Sequence, residues 1–211
     1  MANLNPLQLT DWRRTIFELY AEIRKHNQTP AELRQKWIEF RAVKDNLFWY
    51  HPMTPLMPEQ QALTNTAPFY EYDPSYCVWG RFNTDVEQYT LDTELAADGL
   101  FKYTRVAEID FELHGTAQTL NMYWIDGYGG ALYLPFADAT SGQTTYGGGR
   151  YLYDAIKGAD LGTRGDQILL DFNFAYNPSC AYNHLWSCPL PPAENRLAIP
   201  IEAGEQSFPT E

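Results

Sequence analysis

The chain has 211 residues, of which 45% are hydrophobic and 15% aromatic, enough for one sizeable buried core. Its 27 acidic and 15 basic residues give a formal net charge of −12. This charge disfavours binding to nucleic acid or to an anionic membrane surface. The sequence contains no apolar run long enough to span a bilayer, and its N-terminus lacks a secretory pattern. We therefore expect a soluble, acidic, cytoplasmic protein with no nucleic-acid or membrane partner, whose oligomeric state the sequence leaves open.

Two helices are predicted in residues 1–50. The first covers residues 10–26, with Thr10 as its cap. The second is marked by the capping box Thr29–Glu32, which places a proline at the first helical position, and is expected to end near Lys44. Its apolar stripe consists of Leu33, Trp37, Phe40 and Val43. A helical hairpin this short must pack on another part of the chain.

The rest of the chain is predicted to be mainly β. Residues 51–69 are rich in proline and are expected to wrap the surface as a connector. From residue 70 the hydrophobic period is two, and the expected strands are Tyr76–Phe82, Glu87–Leu91, Glu108–Leu113, Thr119–Ile125, Ala131–Phe136, Ile168–Phe174 and Leu197–Ile201. The predicted fold is α+β, mainly β: a helical hairpin packed on an antiparallel β-sandwich or barrel of about seven to eight strands in residues 70–211. The whole chain is expected to form one compact unit.

Three cysteines are present, Cys77, Cys180 and Cys188. An odd number in a chain without a leader argues against a disulfide framework. Together with His184, the last two have the spacing C-x3-H-x3-C, and their donor atoms suit zinc. Residues eight apart would be separated by roughly 12 Å along a helix, and no fourth ligand lies in the motif. We therefore expect reduced thiols, and neither a bound metal nor another cofactor.

Polar residues and turn formers are concentrated in two segments near the C-terminus. The motifs are Asp138-x-Thr140-x-Gly142, Thr145–Tyr151, Asp171–Asn173, Tyr176-Asn177-Pro178-x-Cys180–Asn183, Cys188-Pro189-x-Pro191-Pro192-x-x-Asn195-x-Leu197 and Ala203–Glu205. Together with Trp37, Arg41 and Lys44-Asp45, they resemble a prokaryotic family, domain of unknown function 1684. This resemblance covers most of the chain. It implies a β-rich fold and no established activity.

Arg150 follows three consecutive glycines, whose backbone N–H groups could join its guanidinium around an anion. The alternative is a structural salt bridge to Asp138, Asp154 or Asp171, and we predict Asp171 as the partner. The function expected first is binding of a small polar or anionic ligand near Arg150 and Asp171. The candidate site residues are Asp138, Tyr146, Arg150, Asp171, Asn173, Asn177, Cys180, Tyr182 and Asn183.

Other interpretations remain open. The protein could be a hydrolase or lyase acting on a small polar substrate, with Asp138, Asp171 or Cys180 as acid, base or nucleophile. In that case His184 or His114 could activate the cysteine. It could also be an interaction module whose aromatic N-terminal hairpin binds another protein. The asparagines of the C-terminal segments could instead hold loop backbone in place.

Overall fold

The computed structural model describes residues 5–26, 29–95, 99–127 and 129–209. Three α-helices lie in the N-terminal part of these residues: α1 (Pro6–Lys25), α2 (Pro30–Tyr50) and α3 (Pro58–Leu63). Eight strands follow: β1 (Cys77–Asn83), β2 (Thr90–Leu95), β3 (Gly99–Leu113), β4 (Thr116–Ile125), β5 (Ala131–Phe136), β6 (Arg150–Asp154), β7 (Thr163–Arg164) and β8 (Gln167–Asp171). No helix among the described residues is long and apolar enough to cross a membrane.

The beginning of each long helix is fixed by a side-chain cap followed by proline. Asn5 caps α1 by accepting a hydrogen bond from the backbone N–H of Leu7 at 3.0 Å. The prediction that Thr10 caps this helix is wrong, because its hydroxyl bonds to the carbonyl of Pro6 inside the helix. Thr29 caps α2 as predicted, with its hydroxyl 3.2 Å from the N–H of Glu32.

Helix α2 continues to Tyr50, beyond the predicted end near Lys44. Leu47 and Phe48 are buried and continue the apolar face at helical spacing from Phe40, so the packing of this face extends the helix. The proline-rich connector of residues 51–69 contains the short helix α3, which was not predicted.

All eight strands belong to one antiparallel sheet that curls into a half-barrel, in the order β6-β5-β4-β3-β1-β8-β7. The long strand β3 pairs with β1 near its end and with β2 near its beginning. The predicted α+β, mainly β fold is confirmed. The strands form a single curled sheet and not two stacked sheets.

Several predicted strands differ from those observed. The strand expected over Glu108–Leu113 begins earlier, at Gly99, and β6 and β7 were not predicted. The strand expected over Glu87–Leu91 begins later, at Thr90. The strand expected to reach Phe174 ends at Asp171, because the Asp171 carboxylate accepts the N–H of Asn173 at 3.0 Å and starts a 3-10 turn. The segment Leu197–Ile201 forms no strand, and only an isolated bridge from Ala137 to Arg196 lies beside it.

The helical hairpin packs on the sheet through the apolar face of α2. The indole of Trp37 donates to the carbonyl of Asn173 at 3.1 Å. The ring of Phe40 lies edge-on to those of Phe69 and Phe174, with centroids 6.1 and 5.3 Å away. One buried cluster therefore includes residues from the helices, the sheet and the C-terminal segment.

Candidate functional site

Arg150 is fully buried at the start of β6 and fastens the C-terminal segment to the sheet. Its Nη2 lies 2.9 Å from Asp138 Oδ2 and 2.9 Å from the carbonyl of Ile201. Its Nη1 donates to the carbonyls of Ala203 and Glu205. Both terminal nitrogens are therefore satisfied by the protein itself, and Arg150 has a structural role.

The predicted pair between Arg150 and Asp171 is wrong, because the partner of Arg150 is Asp138. The sheet explains this choice. Arg150 in β6 pairs with Phe136 at the end of β5, which places Asp138 two residues further along, next to the guanidinium. The other oxygen of Asp138 accepts the N–H groups of Thr140 at 2.7 Å and of Ile201 at 3.2 Å.

Asp171 is also fully buried, with a different set of partners. It accepts hydrogen bonds from the backbone and side-chain amides of Asn173, at 3.0 and 2.7 Å, and from the hydroxyl of Tyr72 at 3.3 Å. Burial raises the pKa of Asp171 to about 6, although these hydrogen bonds oppose the shift. The amide of Asn173 continues the network by bonding both backbone groups of Asp73.

Asp138, Arg150, Asp171 and Asn173 are thus enclosed and bonded to the chain itself. None of them lines either of the two cavities described below. The volume expected to hold a ligand near Arg150 and Asp171 is filled by the C-terminal segment and by Tyr72. The same burial counts against Asp138 or Asp171 as an acid or base that meets a substrate.

A cavity of about 370 Å³ lies between α1, α2 and the segment Tyr176–Cys188. We call it the hairpin cavity. Apolar and aromatic side chains form most of its wall: Leu9, Trp12, Ile16, Tyr20, Phe40, Leu47, Phe48, Met53, Pro55, Tyr151, Ala159, Tyr176 and Trp186. Of the predicted site residues, Asn177 and Tyr182 line it.

The polar part of this wall carries positive charge. Arg13, Lys44 and Lys157 line the cavity, and no aspartate or glutamate is among its lining residues. Lys44 is buried and pairs with Glu205 at 2.9 Å, while Lys157 pairs with Asp154 at 3.0 Å. Arg13 is exposed and forms no ion pair with any residue that the structure describes.

The carboxylate of Glu205 organises the back of the cavity. It is fully buried and accepts from Lys44, from the N–H of Asn177 at 2.8 Å and from the hydroxyl of Tyr182. Burial, followed by the charge of Glu205, raises the pKa of Tyr182 well above its ordinary value, so this phenol stays neutral. Sequence reasoning missed Lys44 as a site residue. The sequence feature that could have identified Lys44 is its position four residues after Phe40, on the apolar face of the predicted helix.

Asn177 contributes an acceptor that the protein leaves unused. Its Nδ2 donates to the carbonyl of Gln206 at 2.8 Å, which fixes the orientation of the amide. Its Oδ1 is buried and accepts no hydrogen bond within the described ranges. A buried acceptor without a partner is costly, and this oxygen has almost no accessible surface through which a ligand could reach it.

Cys180 and Cys188 are neighbours beside the hairpin cavity. Cys180 lies in the 3-10 turn Ser179–Ala181, and its N–H donates to the sulfur of Cys188 at 3.4 Å. The hydroxyl of Tyr146 lies 3.8 Å from the sulfur of Cys180. A hydrogen bond from the Cys188 thiol lowers the pKa of Cys180 to about 6 and raises that of Cys188.

Neither histidine expected to act with Cys180 is hydrogen-bonded to it in the part of the chain that the structure describes. His184 is exposed, and His114 contacts Ser75 and the ring of Tyr76. The described ranges contain no group of three His, Cys, Asp or Glu side chains placed to hold a metal ion. Asn183 does not line the hairpin cavity, since its side chain accepts the N–H of Leu185 and shapes the turn.

A second cavity of about 620 Å³ lies at β7 and the turn before it. Its lining includes Arg24, Trp79, Tyr153, Asp160 and Arg164, none of which was predicted as a site residue. The guanidinium of Arg164 lies 3.8 Å from the centre of the Trp79 ring, a cation–π contact.

The family model described as "Protein of unknown function (DUF1684)" matches residues 65–206. The chain belongs to this family. The resemblance recognised from the C-terminal motifs is thereby confirmed. The part that matches DUF1684 contains Asn177, both neighbouring cysteines and Glu205, whereas Arg13 and Lys44 lie before it.

A solved structure has a similar fold. The chain is similar to an uncharacterised protein of Haloarcula marismortui, solved by solution NMR, with 33% sequence identity and a TM-score of 0.61. The similarity covers 84% of this chain and 95% of that one. The search of curated proteins found no match. Neither the DUF1684 model nor this relative carries a named activity.

Proposed function

We propose that the protein binds a small amphipathic anion in the hairpin cavity, with the charged group of the ligand at the mouth and an apolar body inside. One observation carries this proposal. In a chain with net charge −12, this cavity has no acidic lining residue. Its lining cation Arg13 has no carboxylate partner among the described residues, whereas Lys44 and Lys157 are paired with Glu205 and Asp154. An anion is therefore the ligand that the lining charges favour.

The positions of the three cations suggest how the ligand would lie. Arg13 is exposed and half of the Lys157 side chain is accessible. Because Lys157 already pairs with Asp154, Arg13 is the cation that an anion at the mouth would neutralise. Lys44 is held deeper in the wall by Glu205, where it fixes the polar end of the cavity.

The size of the cavity and its remaining lining residues indicate the uncharged part of the ligand. A volume of about 370 Å³ lies within the range of small-molecule sites, roughly 300–1,000 Å³. The aromatic and aliphatic wall favours an apolar body. We propose an aromatic or branched carboxylate as the ligand class.

A binding screen tests the proposal. Aromatic and aliphatic carboxylates are compared with their uncharged amides by thermal shift and then by calorimetry, because a ligand that binds only the folded state raises its melting temperature. We expect the carboxylates to bind more tightly than the amides. Equal binding of each acid and its amide would exclude the anionic part of the proposal.

Two exposed arginines of α1 provide a matched pair of variants. Arg13→Gln should weaken carboxylate binding by about tenfold, equivalent to roughly 1.4 kcal/mol. Arg14→Gln is the control, since Arg14 is exposed and does not line the cavity. The same loss in both variants would point to a general surface effect and would contradict binding at the hairpin cavity.

We also propose that the protein acts in the cytoplasm. The support is that Cys77, Cys180 and Cys188 are all free thiols, as expected in a reducing compartment. Fractionation of cells producing the full natural chain tests this proposal. Recovery of the protein in an extracellular or periplasmic fraction would contradict it.

A further inference from the structure

We propose that Cys180 and Cys188 form a redox-active dithiol that reduces a hydroperoxide, with Cys180 as the attacking thiol and Cys188 as the resolving thiol. This activity goes beyond ligand binding in the hairpin cavity and does not depend on it. The inference rests first on the contact between the two cysteines, and then on the groups around each sulfur.

The fold brings together two thiols that the sequence separates by seven residues. Cys180 lies in the turn after Pro178, and Cys188 begins the stiff Cys188–Pro192 segment, which is fixed by hydrogen bonds from Tyr133 and Tyr151 to the carbonyl of Pro189. The N–H of Cys180 reaches the Cys188 sulfur at 3.4 Å. The pair therefore meets within one small region, as a disulfide requires.

The surroundings give the two sulfurs different reactivities. The hydroxyl of Tyr146 lies 3.8 Å from the Cys180 sulfur, where it can donate to a thiolate, and the neighbouring Cys188 thiol and Lys157 also favour that charge. The pKa of Cys180 is accordingly lowered to about 6, so most of it is ionised at neutral pH. Cys77 behaves in the opposite way, because burial and the nearby Asp171 raise the pKa of its thiol.

Neither cysteine is fully enclosed. Cys180 and Cys188 are half-buried, and Cys188 is part of the hairpin cavity wall. Half-burial restricts solvent without closing the site. A low-pKa accessible thiolate beside a second thiol is the arrangement that oxidation by hydroperoxides favours.

The reaction balances with the hydroperoxide as oxidant. The Cys180 thiolate attacks the terminal oxygen of the hydroperoxide, the O–O bond breaks, and the remaining alkoxide takes a proton and leaves as an alcohol, or as water from hydrogen peroxide. Cys180 becomes a sulfenic acid. The Cys188 sulfur then attacks the Cys180 sulfur, the S–O bond breaks, and water leaves. The two cysteines lose two electrons in total, and a low-molecular-weight thiol restores them.

Mass spectrometry of the full chain after treatment with hydrogen peroxide tests the proposal. The expected product is lighter than the reduced chain by two hydrogen atoms, and chymotryptic cleavage after Tyr182 or Trp186 should yield cross-linked peptides containing Cys180 and Cys188. In Cys188→Ser the reaction should stop at a sulfenic acid on Cys180, which dimedone traps. In Cys180→Ser, Cys188 should give no dimedone adduct under the same conditions.

The pH dependence of alkylation provides an independent readout. The rate at which iodoacetamide modifies Cys180 should show an inflection near pH 6 in the unmodified chain. Cys188→Ser and Tyr146→Phe each remove a donor to that sulfur, so the inflection should move toward the ordinary thiol value of about 8.5. The pH at which the alkylation rate of the unmodified chain shows its inflection tests the proposal by itself. The measurement therefore remains decisive even if a variant does not fold.

Cys77 is the internal control. Cys77→Ser should leave both the disulfide product and the alkylation profile of Cys180 unchanged. The proposal is overturned if Cys77 is oxidised as readily as Cys180. It is equally overturned if the disulfide forms only between two copies of the chain, or if the alkylation inflection of the unmodified chain lies at the ordinary thiol value.

Discussion

Replacing Arg150 with methionine is the most direct test of how the C-terminal segment is held. Methionine keeps much of the length and apolar volume of the side chain and removes the guanidinium. The change would leave the Asp138 carboxylate buried without its cation, and the carbonyls of Ile201, Ala203 and Glu205 without their shared donor. Arg150 and Asp138 are both fully enclosed, so water cannot replace these contacts.

The size of the loss follows from this burial. Removing one member of a buried ion pair costs about 3–5 kcal/mol, because the remaining charge has no partner. We expect the upper half of that range, since three carbonyl acceptors also lose their donor. Asp138→Asn should also cost about 3–5 kcal/mol, because it leaves the buried Arg150 cation without its counterion. The double variant should lose less than the sum of the two single losses.

Urea unfolding followed by tryptophan fluorescence measures these free energies. With a urea dependence of about 2 kcal/mol per molar, a loss of 4 kcal/mol lowers the midpoint by roughly 2 M. Arg81→Met is the matched control, because Arg81 and its partner Asp166 are mostly exposed, and their pair should contribute under about 1 kcal/mol. A loss in Arg150→Met no larger than that control would refute the structural role of Arg150.

Three further predictions concern other buried positions. Trp37→Ala should destabilise the fold by about 3–5 kcal/mol in the same assay, because the ring is buried against the sheet. A loss below about 1 kcal/mol would mean that α2 does not pack there. The folded-state pKa of Asp171 is raised to about 6, so its contribution to stability is fully present at low pH and falls as pH rises from about 4 to about 6. The free energy of unfolding of the unmodified chain should therefore fall over this range relative to Asp171→Asn, and parallel curves would contradict the raised pKa. Gly204→Ala should reduce the melting temperature strongly, because Gly204 has φ of +76° and an added Cβ would lie 2.6 Å from the carbonyl oxygen of Phe172. An unchanged melting temperature would disprove this close contact.

The sequence predicted helices and strands well where the signal for them lies within a few neighbouring residues. The capping box at Thr29, the alternation of Glu108–Leu113 and the glycine-separated strands predicted the second helix and the central meander of the sheet. Each of these depends on periodicity or on a cap, and both are short-range properties. The mainly β fold beneath a helical hairpin followed from the order of such elements.

The sequence was less reliable where a polar side chain competes with regular structure. Alternation predicted a strand through Phe174, but the Asp171 carboxylate bonds the backbone two residues ahead and ends the strand. A hydrophobic pattern does not register such a local hydrogen bond. Likewise, the alternation of Leu197–Ile201 reflects burial against the sheet, and its backbone bonds to Ala137 and Ala139 do not form a continuous ladder.

The partners of buried charges were decided only by the tertiary structure. From the sequence, Arg150 could pair with Asp138, Asp154 or Asp171, and the strand register of β5 and β6 selected Asp138. The same holds for Lys44 and Glu205, which are 161 positions apart in the sequence and 2.9 Å apart at the hairpin cavity. Composition and periodicity specify which residues must be buried or paired. Which charges meet depends on long-range packing, because a buried charge is stabilised by whichever partner the fold brings within contact distance.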